Sequence, residues 1–204
     1  MGLTLVTART AEPIELEEAK HQFQQNDETD LDDDKCEQIW IPAARGRCEK
    51  ATERQTTPET WDLYLPRFPW CHVLELPKPP LQSVTWVKYL DANGVLQTWA
   101  SSNYVVDAPV GENARRGRIY PAYGVTWPST RCQFNAVQIR FVAGYDTVPA
   151  LLKQAMLLDV GTMFVHRENI VIDPASEVVL ELPDGCKSVY RSFKSRPLYP
   201  LPED

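Results

Sequence analysis

The sequence predicts an α+β fold in which helices at both ends of the chain flank a middle region rich in β-strands, followed by an extended C-terminal tail. Apolar residues recur with helical spacing before residue 55 and after residue 149, and with a period of two in several stretches between residues 60 and 145. With 204 residues, of which 43% are hydrophobic, the chain can bury a core without metals or disulfides.

The N-terminal part of the chain predicts two helices. An apolar stripe among glutamates favours a short helix over residues 15–24, since acidic side chains suit the first turn. A second helix is expected over residues 33–54, with Asp32 to Asp34 as its N-cap and first turn. Pro42 lies inside this second helix and has no N–H for the helical hydrogen bond, so we expect a kink or a break there.

Alternating hydrophobicity and β-branched residues then predict seven strands. They cover residues 60–65, 73–76, 84–90, 95–99, 104–107, 117–120 and 136–142. The tetrapeptide from Asp91 to Gly94 ends in Asn-Gly, which tolerates the positive φ angles of a tight hairpin turn. The middle region therefore predicts a mostly antiparallel β structure.

After Gly144 the helical period returns. Pro149 suits the first turn of a helix that ends near His166, and this helix is apolar around most of its circumference, so we expect it to be largely buried. Gly161 inside it is expected to mark the close approach of a neighbouring element. A strand over residues 178–182 and a short helix over residues 184–193 are expected to follow.

The last residues have the composition of an extended arm. Pro197, Pro200 and Pro202 exclude a helix and favour a polyproline-like conformation. We therefore divide the chain into N-terminal helices (1–59), a β-rich insertion (60–145), C-terminal helices that complete a helical core (146–193) and an extended tail (194–204).

The charge of the chain argues against tight binding of nucleic acid. The net charge is -7, and residues 1–60 contain 14 of the 28 acidic and 7 of the 21 basic residues, so the remaining residues are balanced. Affinity for phosphates depends on clustered lysine and arginine. No apolar run approaches the roughly 20 residues that span a bilayer, and no signal peptide is evident, so we expect synthesis in the cytosol and no membrane partner.

The sequence predicts no enzyme, no metal and no cofactor. The three histidines, His21, His72 and His166, stand in no catalytic motif. An EF-hand that began at Asp30 would have Lys35 in place of its turn glycine and a second mismatch at its terminal glutamate position. The five cysteines show no metal-binding spacing and are expected to be reduced and mostly buried, and the six tryptophans are expected in the core or at protein interfaces.

Several segments, in their order along the chain, resemble the head-tail connector family of tailed phages and prophages. They are "EPIELEEAK", an acidic loop, "IPAARGRCEKAT", "TWDLYL", "LELPKPPLQSVTWVKYLDANGVLQTW", "NYVVD", "GRIYPAYGVTWP", "NAVQIRFVAGY" and "VPALLKQAMLLDVGTMFVHRE". The sequence departs from the family at Pro42, where alanine is usual, and at Glu53, where glycine is usual.

The resemblance implies a small helical connector core with a β-rich insertion between helices two and three. It also implies a non-enzymatic adaptor, assembled as a ring of roughly twelve subunits in the neck of the virion. The expected partners are the portal protein and a downstream neck (stopper) or tail-completion protein, and DNA is expected to pass through without specific binding. The alternative is a phage surface binding module, such as a receptor-binding or capsid decoration protein, which the β-rich middle also allows.

Two groups of residues are candidates for these functions. The first group would contact the portal or an adjacent subunit, since apolar side chains on a stiff, proline-rich backbone suit a docking arm. It consists of Tyr190, Phe193, Arg196, Leu198, Tyr199 and Leu201. The second group would place negative charge along the DNA channel, and it consists of Asp30, Asp32, Asp33 and Asp34. A frayed terminus and a solvated loop are the alternatives for these two segments.

Overall fold

We describe the protein from a computed structural model, which covers residues 2–23, 33–165 and 184–196. The described residues form two compact units. The β unit contains residues 2–10, 53–146 and 195–196, and the helical unit contains residues 11–23, 33–52, 147–165 and 184–194. None of the helices in the described part of the chain has the length and apolar character needed to cross a membrane.

The predicted α+β class is confirmed, and the elements follow the predicted order, with strands inserted between helical segments. The strands are β1 (Gly2–Thr7), β2 (Glu59–Leu65), β3 (Leu74–Glu75), β4 (Leu81–Leu90), β5 (Leu96–Trp99), β6 (Tyr104–Asp107), β7 (Arg118–Pro121) and β8 (Val137–Ala143). The helices are α1 (Leu16–Phe23), α2 (Asp33–Lys35), α3 (Ile41–Thr52), α4 (Ala150–Val165) and α5 (Asp184–Phe193), with a π-helical turn at Cys36–Trp40 and a 3-10 turn at Ser101–Asn103.

The β unit consists of two antiparallel sheets that share one core. The larger sheet has the strand order β1-β2-β8-β4-β5, and the smaller has the order β3-β7-β6. Side chains of one face of the larger sheet, such as Leu63, Ile139 and Phe141, pack with Leu74 and Ile119 of the smaller sheet. Because alternate residues of a strand point to opposite faces, the other face of the larger sheet carries polar and charged side chains.

Strand β1 was not predicted from the sequence. It pairs with β2 in antiparallel register, from Gly2 with Tyr64 to Thr7 with Thr60, so it forms one edge of the larger sheet. Most of its six residues are exposed. Because of β1, residues 2–10 belong to the β unit rather than to the N-terminal helical segment.

A π-helical turn interrupts the second predicted helix at the position that Pro42 led us to expect. The N–H of Ile41 donates to the carbonyl of Cys36, five residues earlier, and the α-helical pattern resumes at Ile41. A π-helical turn contains one residue more than an α-helical turn. This extra residue accommodates Pro42, which has no N–H to donate to a helical hydrogen bond. The helix ends at Thr52 rather than Arg54, because Glu53 has a left-handed φ of 56° and cannot continue the helix.

Helix α4 is the centre of the helical unit and packs against α1, α3 and α5. Its boundaries confirm the predicted helix after Pro149, and those of α5 match the predicted residues 184–193. One side of α4 is buried, but Leu151 is 52% exposed and Val165 is 71% exposed, so the expectation of a largely buried helix is wrong for one face. The predicted strand over residues 178–182 lies outside the described residues, and the role assigned to Gly161 stays a prediction.

Two of the segments that carry the resemblance, residues 76–81 and 141–145, meet at one end of the larger sheet. The N–H of Gln55 donates to the carbonyl of Pro79 (3.0 Å), and the N–H of Gly144 donates to the carbonyl of Pro80 (2.9 Å), which follows a cis peptide bond. Gly144 has a φ of +134°, and a Cβ atom there would lie 2.2 Å from the carbonyl oxygen of Thr57. We call this region, defined by residues 53–59, 78–82 and 143–146, the anchored end of the sheet.

Side chains complete the network at the anchored end. The guanidinium of Arg54, which is 3% exposed, donates to the carbonyl of Ala114 (2.7 Å) and to the hydroxyl of Tyr145 (3.2 Å). The Tyr145 hydroxyl in turn donates to the carbonyl of Glu112 (2.6 Å). Arg116 donates to the carboxylate of Glu53 (2.6 Å), so the loop before β7 is fixed to the segment that follows α3.

Candidate assembly surfaces

The structure places the predicted C-terminal contact residues in two environments. Tyr190 and Phe193 are each only 2% exposed, because the face of α5 that carries them turns into the helical unit. Arg196 is exposed. Outside the described residues lie Leu198, Tyr199 and Leu201. Side chains as buried as Tyr190 and Phe193 offer almost no surface to a partner, so in the single chain they stabilise the core instead.

The buried residues of α5 lie on one face of the helix. Cys186, Tyr190 and Phe193 stand at positions i, i+4 and i+7, which share one side of a helix. The Cys186 thiol donates to the carbonyl of Ala155 in α4 (3.2 Å). The same burial raises the pKa of the Tyr190 phenol well above its usual range, since the phenolate would be poorly solvated.

The predicted acidic residues are described in part. The carboxylate of Asp33 forms an ion pair with the Lys20 ammonium (2.5 Å), and this pair joins α2 to α1. Asp34 is exposed at the start of the second helix. Asp30 and Asp32 lie outside the described residues. The described part of the acidic segment therefore divides into one carboxylate that holds two helices together and one that faces solvent.

The buried thiols are in environments that suppress nucleophilic chemistry. Burial raises the pKa of Cys36 to about 11 and that of Cys48 to about 12. Since the thiolate is the reactive form, these two groups are inert at neutral pH. All five cysteines are free thiols, and Cys71 and Cys132 differ from the others in being exposed. Among the described residues, no group of three or more His, Cys, Asp or Glu side chains has the arrangement that holds a metal ion.

Charged pairs in the two units differ in how fully they are satisfied. In the larger sheet Arg140 binds the Asp62 carboxylate through both of its oxygens, each at 2.8 Å. In the helical unit Arg47 donates to only one oxygen of Asp159 (2.8 Å), and the other oxygen is buried with no hydrogen-bond partner among the described residues. Burial accordingly raises the pKa of the Asp159 carboxyl, in spite of the nearby arginine.

Tryptophans occur both in the core and at the surface. Trp99 is 5% exposed and stacks on Tyr104 with ring centroids 5.3 Å apart, as expected of a core aromatic residue. Trp86 lies on the polar face of the larger sheet between Lys88 (4.5 Å) and Arg140 (5.0 Å). Trp70 is 89% exposed. The sequence did not distinguish these environments.

Three loops meet at the end of the larger sheet opposite the anchored end. Val137, the first residue of β8, pairs with Leu65 at the end of β2 and with Tyr89 near the end of β4. The loops of residues 66–73, 91–95 and 131–136 therefore share this end, which we call the tip. The N–H of Leu90 donates to the carbonyl of Ala136 (2.8 Å), and the N–H of Arg131 donates to the carbonyl of Leu90 (3.1 Å).

The tip exposes large apolar side chains that sequence reasoning missed. Trp70 is 89% exposed, Phe134 is 90% exposed and Val95 is 55% exposed, although Phe68, two residues before Trp70, is only 7% exposed. Large apolar side chains that are exposed at one end of a sheet are candidates for a protein interface. The sequence held no sign of the difference, because both aromatic residues of the first loop stand beside proline in a segment without periodicity.

The fold belongs to the class in which a helical unit is interrupted by a two-sheet β unit. Chains of similar fold occur in solved structures of gene transfer agent (GTA) particles. The chain matches one in the neck of an empty GTA particle computed with C6 symmetry (21% identity, TM-score 0.74) and one in the virion of a native gene transfer agent particle (21% identity, TM-score 0.72), each over 98% of both chains.

A third similar chain comes from the neck of a native GTA particle computed with C12 symmetry (22% identity, TM-score 0.69, 98% of both chains). No protein-family model matches the sequence, and no curated protein matches it. At these identities the likeness establishes the fold. It agrees with the fold that the head-tail connector resemblance implied.

Proposed function

We propose that the chain is a structural subunit of the neck of a phage-like particle, where it joins head to tail without catalysing a reaction. The observation that carries the proposal is the fold likeness to a chain of a particle neck, which extends over 98% of both chains. A match of that extent includes the helical segments and the β insertion together. No observation favours the alternative of a receptor-binding or capsid decoration protein.

The neck position implies a ring. One similar chain lies in a neck computed with C12 symmetry, and we propose a ring of about twelve copies in contact with the portal protein on one side and a stopper or tail-completion protein on the other. Such a subunit needs several interfaces. Exposed apolar residues in both units, including Leu151 and Val165 on α4 and Trp70 and Phe134 at the tip, supply candidate surfaces.

The ring would let DNA pass without binding it specifically. The excess of negative charge lies in residues 1–60, and Asp34 is exposed among the described acidic residues. We propose that Asp30, Asp32, Asp33 and Asp34 face the channel, where carboxylates repel phosphates. The protein would be located in the virion neck, and in the host cytoplasm during assembly.

Electron microscopy of the purified chain mixed with the portal of the same particle tests the proposal. A ring at the narrow end of the portal is the expected result, and failure to bind the portal at micromolar concentration would contradict it. Duplex DNA should bind weakly and lose affinity as salt rises, because the chain carries no excess of basic residues.

The C-terminal tail can be tested in the same assay. Ser195 is 4% exposed, so the cut belongs after Arg196, where it leaves every described residue in place. The shortened chain should unfold with a free energy within about 0.5 kcal/mol of the full chain. If the tail is a docking arm, the shortened chain will fold but not bind the portal; unchanged binding would remove the tail from the proposal.

A further inference from the structure

The segment that contains α5 is basic, although the chain as a whole is acidic. Residues 184–196 contain four basic residues and one acidic residue, Asp184, whereas the net charge of the chain is -7. The basic residues are Lys187, Arg191, Lys194 and Arg196. Lys187 is partly exposed and the other three are exposed. This segment of the helical unit therefore presents positive charge to solvent.

Three of the basic residues lie on one side of the helix. Lys187, Arg191 and Lys194 have the spacing i, i+4 and i+7, and each directly follows one of the three buried residues of α5. Because successive residues are about 100° apart around a helix, the basic side lies next to the buried side. Lys194 is the first residue after α5, and its N–H donates to the carbonyl of Arg191 (3.3 Å), so the chain still turns with the helix there. We call these three residues the basic stripe.

The composition of the exposed side suits a phosphate backbone better than a protein surface. The exposed residues between positions 185 and 196 are Gly185, Ser188, Arg191, Ser192, Lys194 and Arg196. The apolar side chains of α5 are buried, apart from the partly buried Val189. Protein interfaces are centred on apolar and aromatic side chains, whereas contacts to nucleic-acid backbones are made mainly by lysine, arginine and small polar residues. The exposed side of α5 therefore has the composition of a backbone contact.

The length of the basic stripe fits the spacing of phosphates in duplex DNA. Seven residues separate Lys187 from Lys194, and at a rise of about 1.5 Å per residue this is roughly 10 Å along the helix. One strand of the duplex carries a phosphate about every 3.4 Å along its axis. The stripe therefore spans about three phosphates, and it has a cationic side chain for each of them.

We propose that the basic stripe contacts the phosphate backbone of the DNA that passes through the ring. The inference deepens the proposed function and rests on it, because the proposed ring is what brings DNA to the chain. Contacts of this kind are independent of sequence, and they let a protein slide along a duplex. The carboxylates of the acidic segment would repel the DNA while the stripes of the copies attract it, so the DNA is held without being fixed in place.

Binding of the full chain to a fluorescent duplex of about 30 base pairs, measured by anisotropy from about 0.01 M to about 0.1 M salt, tests the contact. Arg191→Gln with Lys194→Gln should lower the affinity at the lowest salt at least about fivefold. It should also reduce the slope of log affinity against log salt by about 1.8, because two phosphate contacts are lost. Arg67→Gln with Arg131→Gln is the matched control, since it removes the same charge from two exposed arginines of the β unit and should leave the slope unchanged.

Two results of this titration would overturn the proposal. One is an equal slope for the two glutamine variants, and the other is no binding of the native chain at up to about 0.5 mM protein and the lowest salt. A thermal melt of each variant checks that the chain is folded. Arg191→Lys with Lys194→Arg should keep the native affinity within about twofold, because phosphates of the backbone are bound through charge. A loss as large as that of the glutamine variant would indicate a bidentate site of fixed geometry and would also overturn the stripe.

The portal assay separates the DNA contact from a protein contact and from the proposed function. The variant Arg191→Gln with Lys194→Gln should still form a ring on the portal. Loss of portal binding with a native DNA slope would assign the stripe to an acidic surface of the portal and overturn the DNA contact. If the native chain forms no ring on the portal but the variant shows the reduced DNA slope, the proposed function fails and the phosphate contact stands.

Discussion

The two ends of the larger sheet are formed by the same strands, but they differ in which side chains they expose to solvent. At the anchored end backbone groups of Gln55, Pro79, Pro80 and Gly144 are joined by hydrogen bonds, and a buried arginine completes the network. At the tip the strand ends are equally well hydrogen-bonded, yet Trp70 and Phe134 are left in solvent. Exposed apolar side chains contribute little to folding, so the difference separates a region selected for stability from one available for contact.

The largest effect is expected inside the first tip loop. Phe68→Ala should lower the free energy of unfolding by about 3–5 kcal/mol, because it removes a ring that stacks on Trp127 and contacts Trp99 in the core. Denaturant unfolding measures it. A loss below about 1 kcal/mol would show that the loop is not fixed by this residue and that the tip is not rigid.

The second largest effect on stability is expected at Gly144 in the anchored end. It should exceed the effect at Gly94, which lies in the tip. Gly144→Ala should destabilise the protein by about 3 kcal/mol or more, because the new Cβ meets the backbone of Thr57 and the φ of +134° is strained for alanine. Gly94→Ala should cost about 1 kcal/mol, since its nearest atom is the flexible end of Arg131. Equal melting temperatures for the two variants would contradict a rigid anchored end.

Asp159 in the helical unit is buried, and one of its carboxylate oxygens has no hydrogen-bond partner among the described residues. Asp159→Asn should raise the free energy of unfolding at pH 7 by about 1 kcal/mol, because a charge that is costly to bury is removed while Arg47, 45% exposed, stays solvated. The pKa of Asp159 is higher in the folded chain than in the unfolded chain. The free energy of unfolding of the native chain should therefore fall as pH rises from about 4, the pKa in the unfolded chain, through the pKa in the folded chain.

The advantage of the Asp159→Asn variant over the native chain should therefore grow over that pH range and then level off. Thermal melts of both chains from about pH 4 to about pH 8 test this. A native chain that gains on the variant as pH rises would mean that the ion pair with Arg47 outweighs the cost of burial.

The smallest effect on stability is expected at the tip surface. Trp70→Ser and Phe134→Ser should each change the free energy of unfolding by no more than about 0.5 kcal/mol, since the two side chains are 89% and 90% exposed. The measurement is a urea titration of each variant beside the native chain. A larger loss would place these rings in the folding of the β unit rather than at a contact surface.

Local sequence determined most of the elements of this protein. Asn93 and Gly94 specify the hairpin turn, Pro149 precedes α4, and the residues predicted for α5 match its boundaries, because turn chemistry and helical periodicity act over a few residues. Pro42 indicated where the second helix would break, and the π-helical turn there has the same local cause. The α+β class followed from these elements.

Tertiary structure decided which side chains face inward. Phe68 and Trp70 are chemically similar neighbours in one loop, yet only the packing of Trp99 and Trp127 makes one buried and the other exposed. Strand β1 exists because β2, more than fifty residues later, supplies its hydrogen-bond partners. Tyr190 and Phe193 became core residues through α4. Burial and strand pairing depend on contacts between residues far apart in the chain, which no local pattern encodes.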